Sequence, residues 1–162
     1  WRDHGYIEPT PGNVIDYRYI RRRVNELRAE GMNILEFCYD PAFTTQIALQ
    51  LQDEDGFVVV PVSKGFASIT EPTVLIEKLA LGAGIRHGGN PLLAWAVGNA
   101  VVETDSGGRR RLSKTKSSEK IDPASAMVTA AKRIGICRGP SRGSIASQVL
   151  MGPARATAEV PW

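Results

Sequence analysis

The chain has 162 residues, 43% of them hydrophobic and 23% charged, with a formal net charge of +3. That length suits a single domain, and the composition excludes disorder over most of it. No apolar run approaches the roughly 18–20 residues of a membrane span. Trp1 to Glu8 does not read as a signal peptide, and Cys38 and Cys137 make no disulfide framework. A start on Trp1 rather than Met reads as an excerpt from a longer protein. The mild basic excess permits a polyanionic partner without requiring one.

Pro9–Thr10–Pro11–Gly12–Asn13 is a connector into a helix, with Asn13 as the expected N-cap. From Val14 to Glu30 the apolar residues Tyr17, Ile20, Val24 and Leu27 recur at three- and four-residue steps. They make one face of an amphipathic helix that Gly31 stops. Arg18, Arg21, Arg22, Arg23 and Arg28 crowd the other faces and read as a solvated surface. Ile34 to Tyr39 is a short buried strand ended by Asp40–Pro41. Thr44 to Leu51 reads as a helix with Ile47, Ala48 and Leu51 on one side, closed by Asp53–Glu54–Asp55–Gly56. Phe57 to Val62 is a second strand, rich in β-branched residues. Strand, helix and strand at this spacing predict a βαβ unit with a parallel pair.

After Gly65 a linker is expected as far as Pro72, then a helix from Thr73 to Leu81 ended by Gly82 and Gly84. His87–Gly88–Gly89–Asn90–Pro91 is a tight turn before the apolar stretch Leu92 to Ala100, where Trp95 reads as core. Asp105–Ser106–Gly107–Gly108, between Val101–Val102 and Arg109 to Leu112, is a hairpin signal. Asp122–Pro123 opens the last helix, with Asp122 as N-cap and Pro123 at the first helical position. From Gly135 the composition shifts to Gly, Pro, Ser and Arg. The expected domain is therefore 1–135, with a loosely ordered tail at 136–162.

Asp40 directly follows a buried parallel strand, where ligands gather in α/β sheets. A carboxylate there can ligate a hard cation such as Mg²⁺, or serve only as a turn residue and cap. Asp122 carries the same pair of readings. Together the two acids suit two-ion phosphodiester cleavage, which needs several carboxylates converging on ions about 3.5–4 Å apart. Arg109, Arg110, Arg111, Lys114, Lys116 and Lys120 stand against the single acid Glu119. They read as a cationic arm that tracks a phosphate backbone with salt-sensitive binding, or as a solvated charged face. His87 reads as a structural turn residue or as one that orients a phosphate or water. There is no HExxH pattern, and Gly108 to Thr115 lacks the second glycine of a P-loop, so no ATP site is expected.

Four segments now fall into one pattern. They are Thr10–Pro11–Gly12–Asn13–Val14–Ile15–Asp16–Tyr17, Tyr39–Asp40–Pro41, the His87 to Pro91 turn, and Lys114 with Ser118–Glu119–Lys120–Ile121–Asp122. In order and spacing, from Trp1 to about Gly135, the chain resembles the nuclease domain of the large terminase subunit of tailed bacteriophages. The resemblance implies a ribonuclease H-like α/β fold, a mixed sheet flanked by helices. It also implies a Mg²⁺- or Mn²⁺-dependent endonuclease with a two-ion site, cutting concatemeric double-stranded phage DNA in the cytoplasm of the bacterial host. By motif match, Asp40 and Asp122 correspond to metal-binding catalytic acids. The His87 turn and Lys114 match family positions without an assigned role. The implied partners are phage DNA, the small terminase subunit and the portal protein, with no membrane.

The same resemblance implies that a further acid on the first strand, the opening antiparallel strands and the ATPase motor precede this chain. Pro123 stands where the family more often has a small flexible residue. The isolated chain is therefore expected to fold poorly, and the sequence leaves open whether it cuts DNA alone. The alternative reading is a truncated prophage remnant that binds DNA or packaging partners without catalysis. Another ribonuclease H-like enzyme, a resolvase or transposase, ranks below both because it lacks these turn and arm motifs.

Overall fold

The structure, a computed structural model, describes residues 1–134, and the expected tail at 136–162 lies outside the described residues. Two compact units divide the chain, Trp1–Ser63 and the part from Lys64 onward. Among the described residues no helix is long and apolar enough to cross a membrane.

In the first unit a 3-10 turn at Arg2–His4 precedes α1 (Tyr17–Ala29), β1 (Phe37–Tyr39), α2 (Thr45–Asp53) and β2 (Val59–Pro61). The N-cap of α1 is Asp16, not the expected Asn13; its carboxylate accepts the Arg18 N–H at 3.0 Å. Asp16 also pairs with the Arg18 guanidinium at 2.7 Å. A charged cap at the positive end of the helix dipole outcompetes an asparagine embedded in a Pro–Gly turn. Val14 and Ile15 consequently lie outside the helix and are exposed. The far end falls where expected. Gly31 adopts φ +94°, donates to the Arg28 carbonyl, and lets the Met32 N–H reach the Leu27 carbonyl. That left-handed terminus is one a glycine adopts without strain.

The predicted βαβ unit is present. β1 and β2 pair in parallel, with Phe37 opposite Val59, Cys38 opposite Val60 and Tyr39 opposite Pro61. Pro61 has no N–H to give, so the ladder is extended by Val62, whose N–H donates to the Tyr39 carbonyl at 2.8 Å. The core is Ile47, Leu51 and Phe57, flanked by Tyr17, Val24, Ile34, Phe37 and Val59. The α2 face read from periodicity is thus the buried one, whereas on α1 Tyr17 and Val24 are only partly buried and Ile20 is exposed.

The arginines of α1 do more than face solvent. Arg21 donates from Nε and Nη2 to the two oxygens of Asp55 at 2.5 and 2.7 Å, and its Nη1 sits 2.7 Å from Glu54. Arg28 donates to the Asp55 carbonyl at 2.8 Å and stacks 4.0 Å over the Phe57 ring. These contacts fasten α1 to the turn between α2 and β2. The Arg21 hydrogen bonds hold the Asp55 carboxyl below the usual carboxylate range, against the opposing effect of burial. A lowered folded pKa contributes stability above the ordinary value near 3.9, and loses it as the pH falls through the folded one. Urea midpoints followed by circular dichroism should therefore drop on acidification below about pH 4, and Asp55→Asn should shrink that drop.

The second unit contains α3 (Phe66–Leu81), α4 (Pro91–Gly98), β3 (Val102–Thr104), β4 (Arg110–Leu112) and α5 (Asp122–Ile134). The expected linker to Pro72 is instead the opening of α3, and Pro72 sits inside the helix. Proline removes one N–H and crowds the carbonyl four residues earlier, a strong local signal against helix. Burial of Ile69, Pro72 and Thr73 overrides it. The Thr70 and Thr73 hydroxyls donate back to the Phe66 and Ile69 carbonyls, both at 2.7 Å. α4 starts as its sequence dictates, with Pro91 in the first turn and the Asn90 side chain accepting the Leu93 N–H at 3.0 Å. β3 and β4 form the expected antiparallel hairpin. Ala96, Ile121 and Ala124 make a core, with Trp95, Val97, Ala100 and Leu112 packed against it.

α5 begins one residue earlier than expected. The Ser125 N–H bonds the Ile121 carbonyl at 2.9 Å, so Asp122 is the first helical residue and Pro123 the second. The proline tolerates either place, because the first N–H groups of a helix have no intrahelical partner.

Candidate functional site

Asp40 leaves the carboxyl end of β1 in the first unit. Its Oδ1 accepts the Ala42 N–H at 3.0 Å, and its carbonyl accepts from the Thr44 N–H at 3.2 Å and the Thr44 hydroxyl at 2.7 Å. The Phe43 N–H also reaches that carbonyl at 3.3 Å, so four hydrogen bonds to Asp40 fix this turn ahead of α2. The turn role read from the sequence is present, but Asp40 does not cap α2, whose N-cap residue is Thr44 and has no side-chain cap bond. The turn engages one carboxylate oxygen and leaves Oδ2 without a partner among the described residues.

Asp122 lies in the second unit, at the first residue of α5. The Lys114 ammonium donates to its Oδ1. That hydrogen bond holds the carboxyl below the usual range, opposed by burial and aided by the charge of Lys120. The helix N-terminus adds positive potential of its own. Asp122 is therefore an anion across the physiological range, with a lysine for its nearest counter-charge.

The cationic arm is the hairpin and its exit, and most of it is paired. Arg109 grips Asp105 with Nε at 2.8 Å and Nη2 at 2.7 Å. Arg110 reaches Glu77 on α3 at 2.9 Å. Arg111 donates to Glu103 at 2.6 Å, directly across the hairpin, and stacks 4.3 Å over the Phe66 ring. Lys116 shares Glu103 at 3.3 Å. These partners, led by Arg111, hold the Glu103 carboxyl below its ordinary range despite some burial. Of the six cations, only Lys120 makes no close ion pair with an acid among the described residues, acting on Asp122 through its charge alone.

The charge nevertheless divides unevenly. Residues 64–134 carry eleven Lys and Arg against six Asp and Glu, whereas residues 1–63 carry six against ten. The basic excess therefore belongs to the second unit. The Arg110–Glu77 pair is exposed on both sides and therefore weak, whereas Asp105 is mostly covered and also bonded to the Gly107 and Arg109 N–H groups.

Sequence reasoning missed the acids that pair with the arm. Asp105 and Arg109 stand four residues apart, and Glu103 opposes Arg111 once the hairpin register is drawn, so two pairs were recoverable. Glu77, 33 positions from Arg110, was not. Lys64 was missed as well; it donates to Thr129 and, at 3.4 Å, to Ser125 on α5. His87 faces an apolar recess with Ile76, Leu93, Val97 and Met127, a structural setting.

Aspartate oxygens are the hard donors that Mg²⁺ and Mn²⁺ take, and Mg²⁺ is commonly held by one or two carboxylates completed by water and phosphate. The open Oδ2 of Asp40 and the lysine-neutralised Asp122 each fit one such ligand position. No group of three or more His, Cys, Asp or Glu forms a ready cage among the described residues.

The sequence model of the family described as "Terminase large subunit, endonuclease domain" matches residues 1–136. The chain is 29% identical over 137 residues to Protein YmfN of Escherichia coli (strain K12), covering 82% of this chain and 29% of that protein. It is 27% identical over 143 residues to "Terminase, large subunit" of Enterobacteria phage HK97, covering 86% and 27% respectively. Among solved structures, the crystal structure of the HK97 bacteriophage large terminase matches with a TM-score of 0.73 at 28% identity, over 82% of this chain and 28% of that one. The chain thus spans less than a third of the length of each of these relatives. The structural match carries the expected ribonuclease H-like α/β fold class.

Proposed function

The chain belongs to the family of terminase large subunit endonuclease domains, and from that membership we propose that it serves phage DNA packaging as part of a metal-dependent nuclease. The substrate is concatemeric double-stranded DNA and the reaction is phosphodiester hydrolysis. Residues 1–135 are the nuclease portion, acting in the bacterial cytoplasm on DNA delivered with the small terminase subunit and the portal. The single observation that carries the reading is a family match in which Asp40 stands at the carboxyl end of a parallel strand.

Asp40 and Asp122 are the proposed ligands for Mg²⁺ or Mn²⁺. When bound, such ions lower the pKa of a water and stabilise the charge that develops on phosphate oxygens. Asp40 contributes its open oxygen from a turn already held by four backbone and side-chain bonds. Asp122 contributes a carboxylate kept ionised by its surroundings. Arg109, Arg110, Arg111, Lys114, Lys116 and Lys120 hold the backbone without reading bases, as phosphate contacts do.

The test uses the product of the longest reading frame that contains this chain. Supercoiled plasmid should be nicked or linearised in Mg²⁺ or Mn²⁺ and left intact when EDTA removes the ion. Duplex binding without cleavage in either ion overturns the catalytic reading and supports a DNA- or partner-binding module instead.

A further inference from the structure

The proposed reading gives Lys114 only a place in a cationic arm, yet its ammonium is bonded to one of the two proposed metal ligands. Both side chains are open to water, 63% exposed for Lys114 and 61% for Asp122. An ion pair in that setting is weak and easily exchanged. Asp122 also begins α5, beside unpaired helix N–H groups, so positive potential already surrounds the carboxylate before any divalent ion arrives. A cation entering there meets an occupied oxygen. Lys114 is close in sequence and tethered, so it is present at high effective concentration whenever the site is empty.

We propose that Lys114 is a positioning residue that stands in for a divalent cation at Asp122, and that its ammonium must leave Oδ1 before a metal ion can take that oxygen. This rests on reading Asp122 as a metal ligand. The lysine keeps the carboxylate compensated and oriented in the empty site and weakens metal binding there. Once displaced, the same ammonium is free to take a phosphate oxygen of the DNA, so metal entry and backbone capture are coupled through one side chain.

The test measures binding of Mn²⁺ alone, without DNA, by calorimetry or by electron paramagnetic resonance on the longest reading-frame product. Lys114→Met should tighten Mn²⁺ binding about two- to fivefold, the equivalent of one exposed ion pair. Lys114→Arg should restore the weaker binding, because it keeps a competing cation; a merely structural lysine would show no such rescue. Asp122→Asn should weaken Mn²⁺ binding and erase the effect of Lys114→Met. Unchanged or weaker binding in Lys114→Met, with Asp122→Asn still weakening it, overturns the competition and leaves Asp122 a ligand. Unchanged binding in Asp122→Asn overturns the ligand reading and the competition with it.

Discussion

Replacing Asp40 by alanine in the longest reading-frame product is expected to reduce metal-dependent plasmid cleavage by about 100-fold or more. That figure is the upper end of the loss seen when a residue that merely orients a metal ligand is removed, and a direct ligand should cost at least as much. Alanine alone is an ambiguous probe. Asp40 Oδ1 also accepts the Ala42 N–H, so truncation removes a turn hydrogen bond worth about 0.5–1.5 kcal/mol. Asp40→Asn separates the two effects. The amide oxygen still accepts from Ala42, while the negative charge and the second carboxylate oxygen are gone. The asparagine variant should keep the wild-type melting temperature and lose cleavage as completely as alanine. Cleavage that survives Asp40→Asn and fails only in Asp40→Ala would assign Asp40 to the turn and remove it from the chemistry.

The parts of the fold that were legible in the sequence are those set by local rules. The parallel pair follows from two apolar runs separated by a helix, and its register brings Asp40 to a strand end. The hairpin follows from Asp105 to Gly108, where Asp105 Oδ1 accepts from both Gly107 and Arg109. What was not legible depends on tertiary contact. Pro72 is a helix breaker by propensity, and only the burial of that face makes it helical. Asp16 rather than Asn13 caps α1 because its carboxylate serves the helix end and Arg18 together. The Arg21 to Arg23 run read as plain surface, but one member reaches 34 positions ahead to Asp55. Long-range pairing of this kind has no periodicity for a reader to detect.

The candidate site divides along the same line. Asp40 and the Asp122 helix start were recognisable because strand ends and helix starts announce themselves. The state of the cations was not, since a run of Lys and Arg looks the same whether it faces water or carboxylates. The structure turns six presumed free cations into five paired ones. On the proposed reading, DNA binding would exchange one set of ion pairs for another, which lowers the net gain per contact.

Leu51→Ala is expected to cost about 2–5 kcal/mol, the range for truncating a fully buried leucine. Leu51 is 0% exposed and sits between Ile47 and Phe57, the other two large residues buried with it in the first unit. Four of the eleven buried hydrophobic residues among the described residues are alanines. The large side chains are therefore few, and a cavity left by one has little bulk nearby to collapse into it. A loss of this size is a large fraction of the 5–15 kcal/mol that holds a typical domain folded. Hydrogen exchange should show it locally, as faster exchange of the α2 amides and of Phe37 and Val62, whose N–H groups bond across the β1–β2 pair. Ile121→Ala, at a site 1% exposed in the second unit, provides the matching measurement for α5. Its exchange pattern should center on Ser125, whose N–H bonds the Ile121 carbonyl, and so on the first turn of the helix that carries Asp122. A loss below about 1 kcal/mol for Leu51→Ala would mean that the cavity collapses or fills, contrary to a core built on so few large residues. The strand end that carries Asp40 is held by this same cluster, through Phe37 and Val59. Cleavage in Leu51→Ala should accordingly fall in step with the loss of β1 protection, and not independently of it.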